Sequence, residues 1–227
     1  KRLVAMMMCA VSLGAAAQSG CTDATACNYD PTAAVDDGSC QGQIVGYDPI
    51  HFSSAMFANS QVAIAQTFTL HTNSTISMVN VSVQSCKENG VVDMIVELAP
   101  VDGNGEPLWS SPIASVTIPA DQVPAMQGGC SVASFEWVSV PFDDVPLSPQ
   151  EYAVIVRSTG FSSISWRRSS TPDDPSNPYL EGTLWEYMVS PFSGEGEGIA
   201  YDGGEAAFSI CGSADLDCCG VPNGDGT

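Results

Sequence analysis

From about residue 43 to residue 211 apolar side chains recur at every second position, which restricts this stretch to strands, because only an extended backbone turns successive side chains to opposite faces. Residues 77–85 set Val79, Val81 and Val83 on one side and Asn80, Ser82 and Gln84 on the other. In the next segment Val92, Met94, Val96 and Leu98 alternate with Asp93, Ile95, Glu97 and Ala99. Further strands are expected over 63–70, 113–118, 135–142, 152–158, 164–168, 184–189 and 206–211, separated by Gly, Pro, Ser or Asp clusters. Asp102-Gly103-Asn104-Gly105 supplies residues that tolerate positive φ, where a hairpin reverses. Roughly nine short strands and no convincing helical stripe predict an all-β fold. Pro112, Pro119, Pro141 and Pro149 punctuate the strand edges and block edge-to-edge pairing. A two-sheet antiparallel β-sandwich of jelly-roll type fits this pattern better than a closed barrel.

Ahead of this segment, Gly20 to Cys40 reads GCTDATACNYDPTAAVDDGSC, with three cysteines and no basic residue. So short a run cannot bury enough apolar area to offset chain entropy, so it needs covalent or metal cross-links. Its wording, with Cys21, Asp23, Ala26, Asn28, Tyr29, Asp36, Asp37, Gly38, Ser39 and Cys40 in place, resembles a short cysteine-rich repeat of secreted and cell-surface proteins of marine Bacteroidetes. The resemblance implies an extracellular address, not a chemistry. It also implies a disulfide between the outer cysteines, Cys21 and Cys40, and an inner position, here Cys27, that is often apolar. The sandwich segment is loosely similar to domains found beside adhesion repeats in bacterial exoproteins. In that group such chains often end in a sorting domain for type IX secretion.

Lys1 and Arg2 lead into an apolar stretch that closes on Ala15-Ala16-Ala17, the pattern of a secretory signal peptide. A spanning anchor is not expected, because the apolar run is too short and lacks a charged stop-transfer flank. The expected organisation is therefore a leader over 1–17, the repeat over 18–42, the sandwich over 43–212 and, over 213–227, the beginning of a further repeat in a longer chain. Loss of the leader removes Cys9 and leaves an even set of cysteines. Many pairings remain open, with Cys86–Cys130 and Cys211 with Cys218 or Cys219 as candidates.

The chain carries 26 acidic residues against 6 basic ones. Nucleic acid and anionic membrane surfaces are excluded as electrostatic partners, since phosphate binding needs clustered Lys and Arg. Surface acidity of this kind serves solubility in salt, with calcium loading as the sharper alternative. The tail offers Asp215, Asp217, Asn223 and Asp225 at close spacing, and the repeat offers Asp30, Asp36 and Asp37. The tail resembles the acidic tandem repeats of bacterial exoproteins, themselves similar to thrombospondin calcium-binding repeats, although no Glu closes an EF-hand loop.

Catalytic signatures are sparse. His51 and His71 stand in unrelated surroundings, and no H-E-x-x-H, G-x-S-x-G or phosphate-binding glycine loop occurs. Glu136 and Glu151 are the carboxylates considered for a glycosidase pair. A non-catalytic binding or adhesion module is the expected class, with a structural spacer or the accessory front of a larger secreted hydrolase as rivals. The candidate binding residues are Trp166, Arg168, Tyr179, Trp185 and Tyr187, because aromatic faces stack on sugar rings while charged groups bond hydroxyls. Polysaccharide is the ligand class this set suggests. Core packing is the competing reading for Trp166, which alternates with Ile164, and for Trp185.

Overall fold

The computed structural model describes residues 18–48, 54–86, 92–125, 135–169, 182–190, 196–201 and 204–215. Its fourteen strands are β1 (Ser19–Gly20), β2 (Val35–Asp36), β3 (Gly42–Tyr47), β4 (Ser54–Ala58), β5 (Val62–Thr69), β6 (Ser74–Cys86), β7 (Met94–Pro100), β8 (Ala114–Ile118), β9 (Glu136–Leu147), β10 (Glu151–Ser158), β11 (Ser163–Arg168), β12 (Leu184–Val189), β13 (Gly196–Tyr201) and β14 (Phe208–Ala214). No helix occurs among the described residues, and the chain is all-β. It divides into two compact units, the first ending at Gln41 and the second beginning at Gly42.

The first unit is held by sulfur and by turn caps. Strands β1 and β2 form a two-residue parallel ladder, and Cys21 is bonded to Cys40 across a sequence separation of 19. Closing a loop of that length removes unfolded-state entropy worth roughly 3 kcal/mol. Cys27, at the inner position that is often apolar in the resembled repeat, is also disulfide-bonded. Asp23 accepts from the N–H and hydroxyl of Thr25, and Asp30 does the same for Thr32. Asp36 accepts from Gly38 N–H and Asp37 from Ser39 N–H. These Asx turns explain why aspartate recurs in the run: a short polar side chain replaces the ladder bonds the segment is too small to make. Asn28 joins the ends, donating to the Ser39 carbonyl and accepting from Gln41 N–H.

The second unit is a β-sandwich. One sheet, here sheet I, has the order β13-β12-β5-β10-β7-β8. The other, sheet II, runs β3-β14-β6-β11-β4, with β9 on the remaining side of β6. All partners within both sheets are antiparallel. Consecutive strands cross repeatedly between the two layers, as in a jelly roll. The core between them takes Val79, Val81 and Val83 from β6, Met94, Val96 and Leu98 from β7, and Ile64 and Phe68 from β5, all with no exposed surface. The Phe68 ring sits 6.1 Å from both Tyr152 and Phe208, tying two strands of sheet I to β14.

Nine of these strands coincide with the periodic segments read from the sequence, and three of the sandwich do not. β3 and β13 are glycine-rich and leave too few side chains for an alternation, and β4 is a short edge strand. β9 also runs past Pro141 to Leu147, because three residues, 142–144, bulge opposite Ser77 while pairing resumes at Val145. Asp144 takes a positive φ of 44° there, a conformation Asp adopts more easily than most residues. Pro141 lies within β9, an edge strand that pairs only with β6, so its missing N–H interrupts no second ladder.

Candidate functional site

The outer face of sheet I is unlike an ordinary solvated strand face. Ala63 and Ala65 on β5, Ala153 and Ile155 on β10 and Ala99 on β7 point away from the main core, yet each is nearly or fully buried. Small side chains leave a shallow bed, and larger groups fill it. Trp185 and Tyr187 on β12 pack on this bed, together with Trp109 from the loop between β7 and β8. β10 reads Tyr-Ala-Val-Ile-Val without a polar break, the signature of a strand covered on both faces.

The loop owes its shape to Asp102. Its carboxylate accepts from the N–H groups of Asn104 and Glu106 at 2.8 and 3.0 Å, and these bonds hold its carboxyl below the usual range. Gly105 takes a φ of 81°, and Val101 bridges Pro107, so the chain reverses where the sequence indicated. The reversal carries Trp109 back over the sheet, where its ring stacks on Tyr187 at 5.0 Å and 25°. The indole N–H of Trp109 donates to Glu106 at 3.0 Å. Arg157, on the outer side of β10, donates through Nε to Glu97 at 2.7 Å and through Nη2 to the Trp109 carbonyl. Gly198 and Gly196 on β13 complete the fit: any side chain at 198 would collide with the Glu106 carboxylate, and any at 196 with the Tyr187 ring.

These residues enclose a groove of about 410 Å³ lined by Asp102, Glu106, Leu108, Trp109, Ser110, Ser111 and Tyr187 with Pro107. It combines aromatic surface, two carboxylates and three hydroxyls, those of Ser110, Ser111 and Tyr187, a set that can stack on an apolar ring face and bond the hydroxyls around it. A larger cavity of about 560 Å³ lies at one end of the sandwich between Asn73, Ile113, Ser148, Tyr152 and Asp215. Among its described lining residues the one aromatic ring, Tyr152, is 2% exposed with its hydroxyl committed to Ser148, so these residues offer no stacking face.

The residues named from sequence are dispersed. Trp185 and Tyr187 share the outer face just described. Trp166 does not: it lies between the sheets, 1% exposed, with its indole N–H on the Ala207 carbonyl at 2.7 Å. Of its two readings core packing holds, and it offers no face to a sugar. Arg168 also turns to the inner side, where its guanidinium lies 5.7 Å from the Tyr201 ring centre. Arg167 pairs with Asp48 at 3.0 Å. Tyr179, Asp217, Asn223, Asp225, Cys130, Cys218 and His51 lie outside the described residues. Cys86 closes β6, and Cys211 is disulfide-bonded.

The metal candidates that can be described have other duties. Asp30, Asp36 and Asp37 cap their own turns, and Asp215 accepts from Asn73 at 3.1 Å. Among the described residues no group of three or more His, Cys, Asp or Glu side chains is placed to hold an ion. The carboxylate pair considered for glycoside hydrolysis also separates. Glu136 opens β9, and Glu151 follows its far end, more than roughly 20 Å away at strand rise, against the ~5–10 Å such a pair needs.

One buried carboxyl escaped sequence reading. Glu205, 9% exposed, lies between the layers, bonded to the Gln66 side-chain amide, while Gln66 Oε1 accepts from Ala206 N–H at 2.8 Å. Burial pushes its pKa up to about 8. Nearby, the Tyr201 hydroxyl donates to Glu186. Trp109 was also missed, although a lone tryptophan in a Gly-, Pro- and Ser-rich loop is the kind of signal that marks a binding loop. The chain matches no protein-family model, no curated protein and no solved structure.

Proposed function

We propose that this chain is a non-catalytic secreted or cell-surface binding module, and that its sandwich recognises polysaccharide through the groove formed by Trp109, Tyr187, Glu106 and Asp102. The observation that carries the reading is the stacked Trp109–Tyr187 pair, fixed by a hydrogen-bonded loop above a bed of alanine and glycine. A sugar binder needs aromatic surface held rigid before the ligand arrives, because ordering loose side chains on binding costs about 0.5–1.5 kcal/mol each. Here the ordering is done by folding. The extracellular address is supported by the disulfides, which persist in oxidising compartments, and by the leader-like sequence at the start. No helix among the described residues is long and apolar enough to cross a membrane.

The test is affinity electrophoresis of the purified protein through gels cast with soluble polysaccharides. Retardation by at least one polymer is expected, with Tyr187→Ala and Trp109→Ala each weakening it about fivefold, since a stacking contact on an aromatic ring is worth about 1 kcal/mol. Circular dichroism of both variants guards against loss of fold. Free migration of the folded protein in every gel would favour the structural-spacer reading instead.

A further inference from the structure

The groove's charge is more specific than its aromatic content. Two carboxylates, Asp102 and Glu106, stand on its rim, and each is fixed: one by backbone N–H groups of its own turn, the other by the indole of Trp109. Asp102 stays ionised, because the bonds it accepts favour the charged form. On the same face the arginine is Arg157, and its guanidinium is consumed by Glu97 and the Trp109 carbonyl. The other two described arginines are engaged elsewhere, Arg167 with Asp48 and Arg168 against Tyr201. The chain as a whole has a formal net charge of −20.

Resting on the polysaccharide reading above, we propose that the ligand is a neutral glycan, and that Asp102 and Glu106 exclude sulfated and uronate polymers while accepting hydrogen bonds from sugar hydroxyls. A carboxylate is acceptor-only, so it recognises hydroxyl donors and repels any ring that brings its own anion. Two unit charges about 4 Å apart repel by ~1 kcal/mol even in bulk water and more at a partly shielded surface. An anionic polymer meets that repulsion wherever a substituted ring enters the groove, and none of the described arginines lines the groove to relieve it. Selection against the wrong ligand is thus part of the site's chemistry.

The experiment compares matched polymers: a panel of neutral polysaccharides (glucan, mannan, xylan, galactan) and the chemically sulfated or carboxymethylated derivative of each. Binding of the purified protein is measured by titration calorimetry at low and at high salt. The expected result is binding to at least one neutral polymer, unchanged by salt, and binding at least about fivefold weaker to its charged derivative, the deficit shrinking in high salt. Glu106→Gln and Asp102→Asn keep an acceptor oxygen at each position, so both retain the loop and narrow the gap for the charged derivative. Equal or tighter binding of the charged derivatives would overturn the neutral-glycan assignment while leaving the polysaccharide reading intact. Absence of binding to every polymer, charged or neutral, would overturn that reading and this inference with it.

Discussion

The two faces of sheet I are built from the same strands and differ in one respect, the size of the side chains they turn outwards. Facing inwards, β5 sets Ile64 and Phe68 into the space between the sheets; facing outwards, it sets Ala63 and Ala65. β10 repeats the division with Tyr152, Val154 and Val156 inside and Ala153 outside, Ile155 being the one larger side chain it adds to the outer cluster. Large residues inside fill the core from both layers. Small residues outside make a bed that only partners from another strand and a loop can fill, and those partners are Trp109, Trp185 and Tyr187. The difference separates holding the fold from presenting a surface: one face is closed by the opposite sheet, whereas the other is closed partly and leaves a groove.

The largest way to break this comparison is on the inner face. Phe68→Ala removes a ring with no exposed surface that touches rings on both sheets, and a loss of about 3–5 kcal/mol is expected in chemical denaturation. A Phe68→Ala protein that melts like the wild type would mean the sheets are held by something other than this core.

A second effect, a few kcal/mol at most, concerns Glu205. Its folded pKa, about 8, is above its ordinary value of 4.5, so folding holds a proton that the unfolded chain releases. The associated stability is complete below pH 4.5 and is lost as pH rises towards about 8. Glu205→Gln keeps an acceptor for Gln66 and has no charge to bury. The variant and the wild type are therefore expected to melt together near pH 4, with the variant more stable at pH 9. Parallel melting curves across this range would show that the Glu205 carboxyl has the same pKa folded and unfolded, so that its burial costs nothing.

The smallest effect lies on the outer face. The indole N–H of Trp185 is buried with no hydrogen-bond partner among the described residues, so Trp185→Phe removes an unpaired donor along with some packing area. The two nearly cancel, and the melting temperature should move by less than about 4 °C. A larger fall would show that the indole makes a contact its surroundings do not reveal.

How far the sequence discloses this comparison depends on which face is read. The inner face is legible because alternation marks it: the sequence alone puts Val79, Val81 and Val83 on one side of β6. The cover over the outer face is not, because Trp109 reaches Tyr187 across 78 positions of chain through a turn whose effect on direction no local pattern encodes. Ile95 and Ala99 stood among the polar members of the β7 alternation and were the residues hinting that its second face is covered. Trp166 illustrates the opposite case, since tryptophan composition alone does not distinguish a core ring from a binding ring, and its strand parity with Ile164 does. The Asx turns of the repeat were visible as D-x-T, D-x-G and D-x-S spacings, which read equally well as oxygen donors for an ion; geometry assigns their carboxylates to backbone N–H groups.

The central claim, that the outer face of sheet I and not another exposed aromatic surface meets the ligand, is open to hydrogen exchange with mass spectrometry in the presence of a retarding polysaccharide. Sheet II supplies the internal control, because Trp137 on β9 and Phe57 on β4 are 43% and 46% exposed. Protection is predicted over 102–111 and 185–187, with β9 and β4 unchanged. Protection centred on β9 or β4, with the loop carrying Trp109 exchanging as in the free protein, would contradict the account.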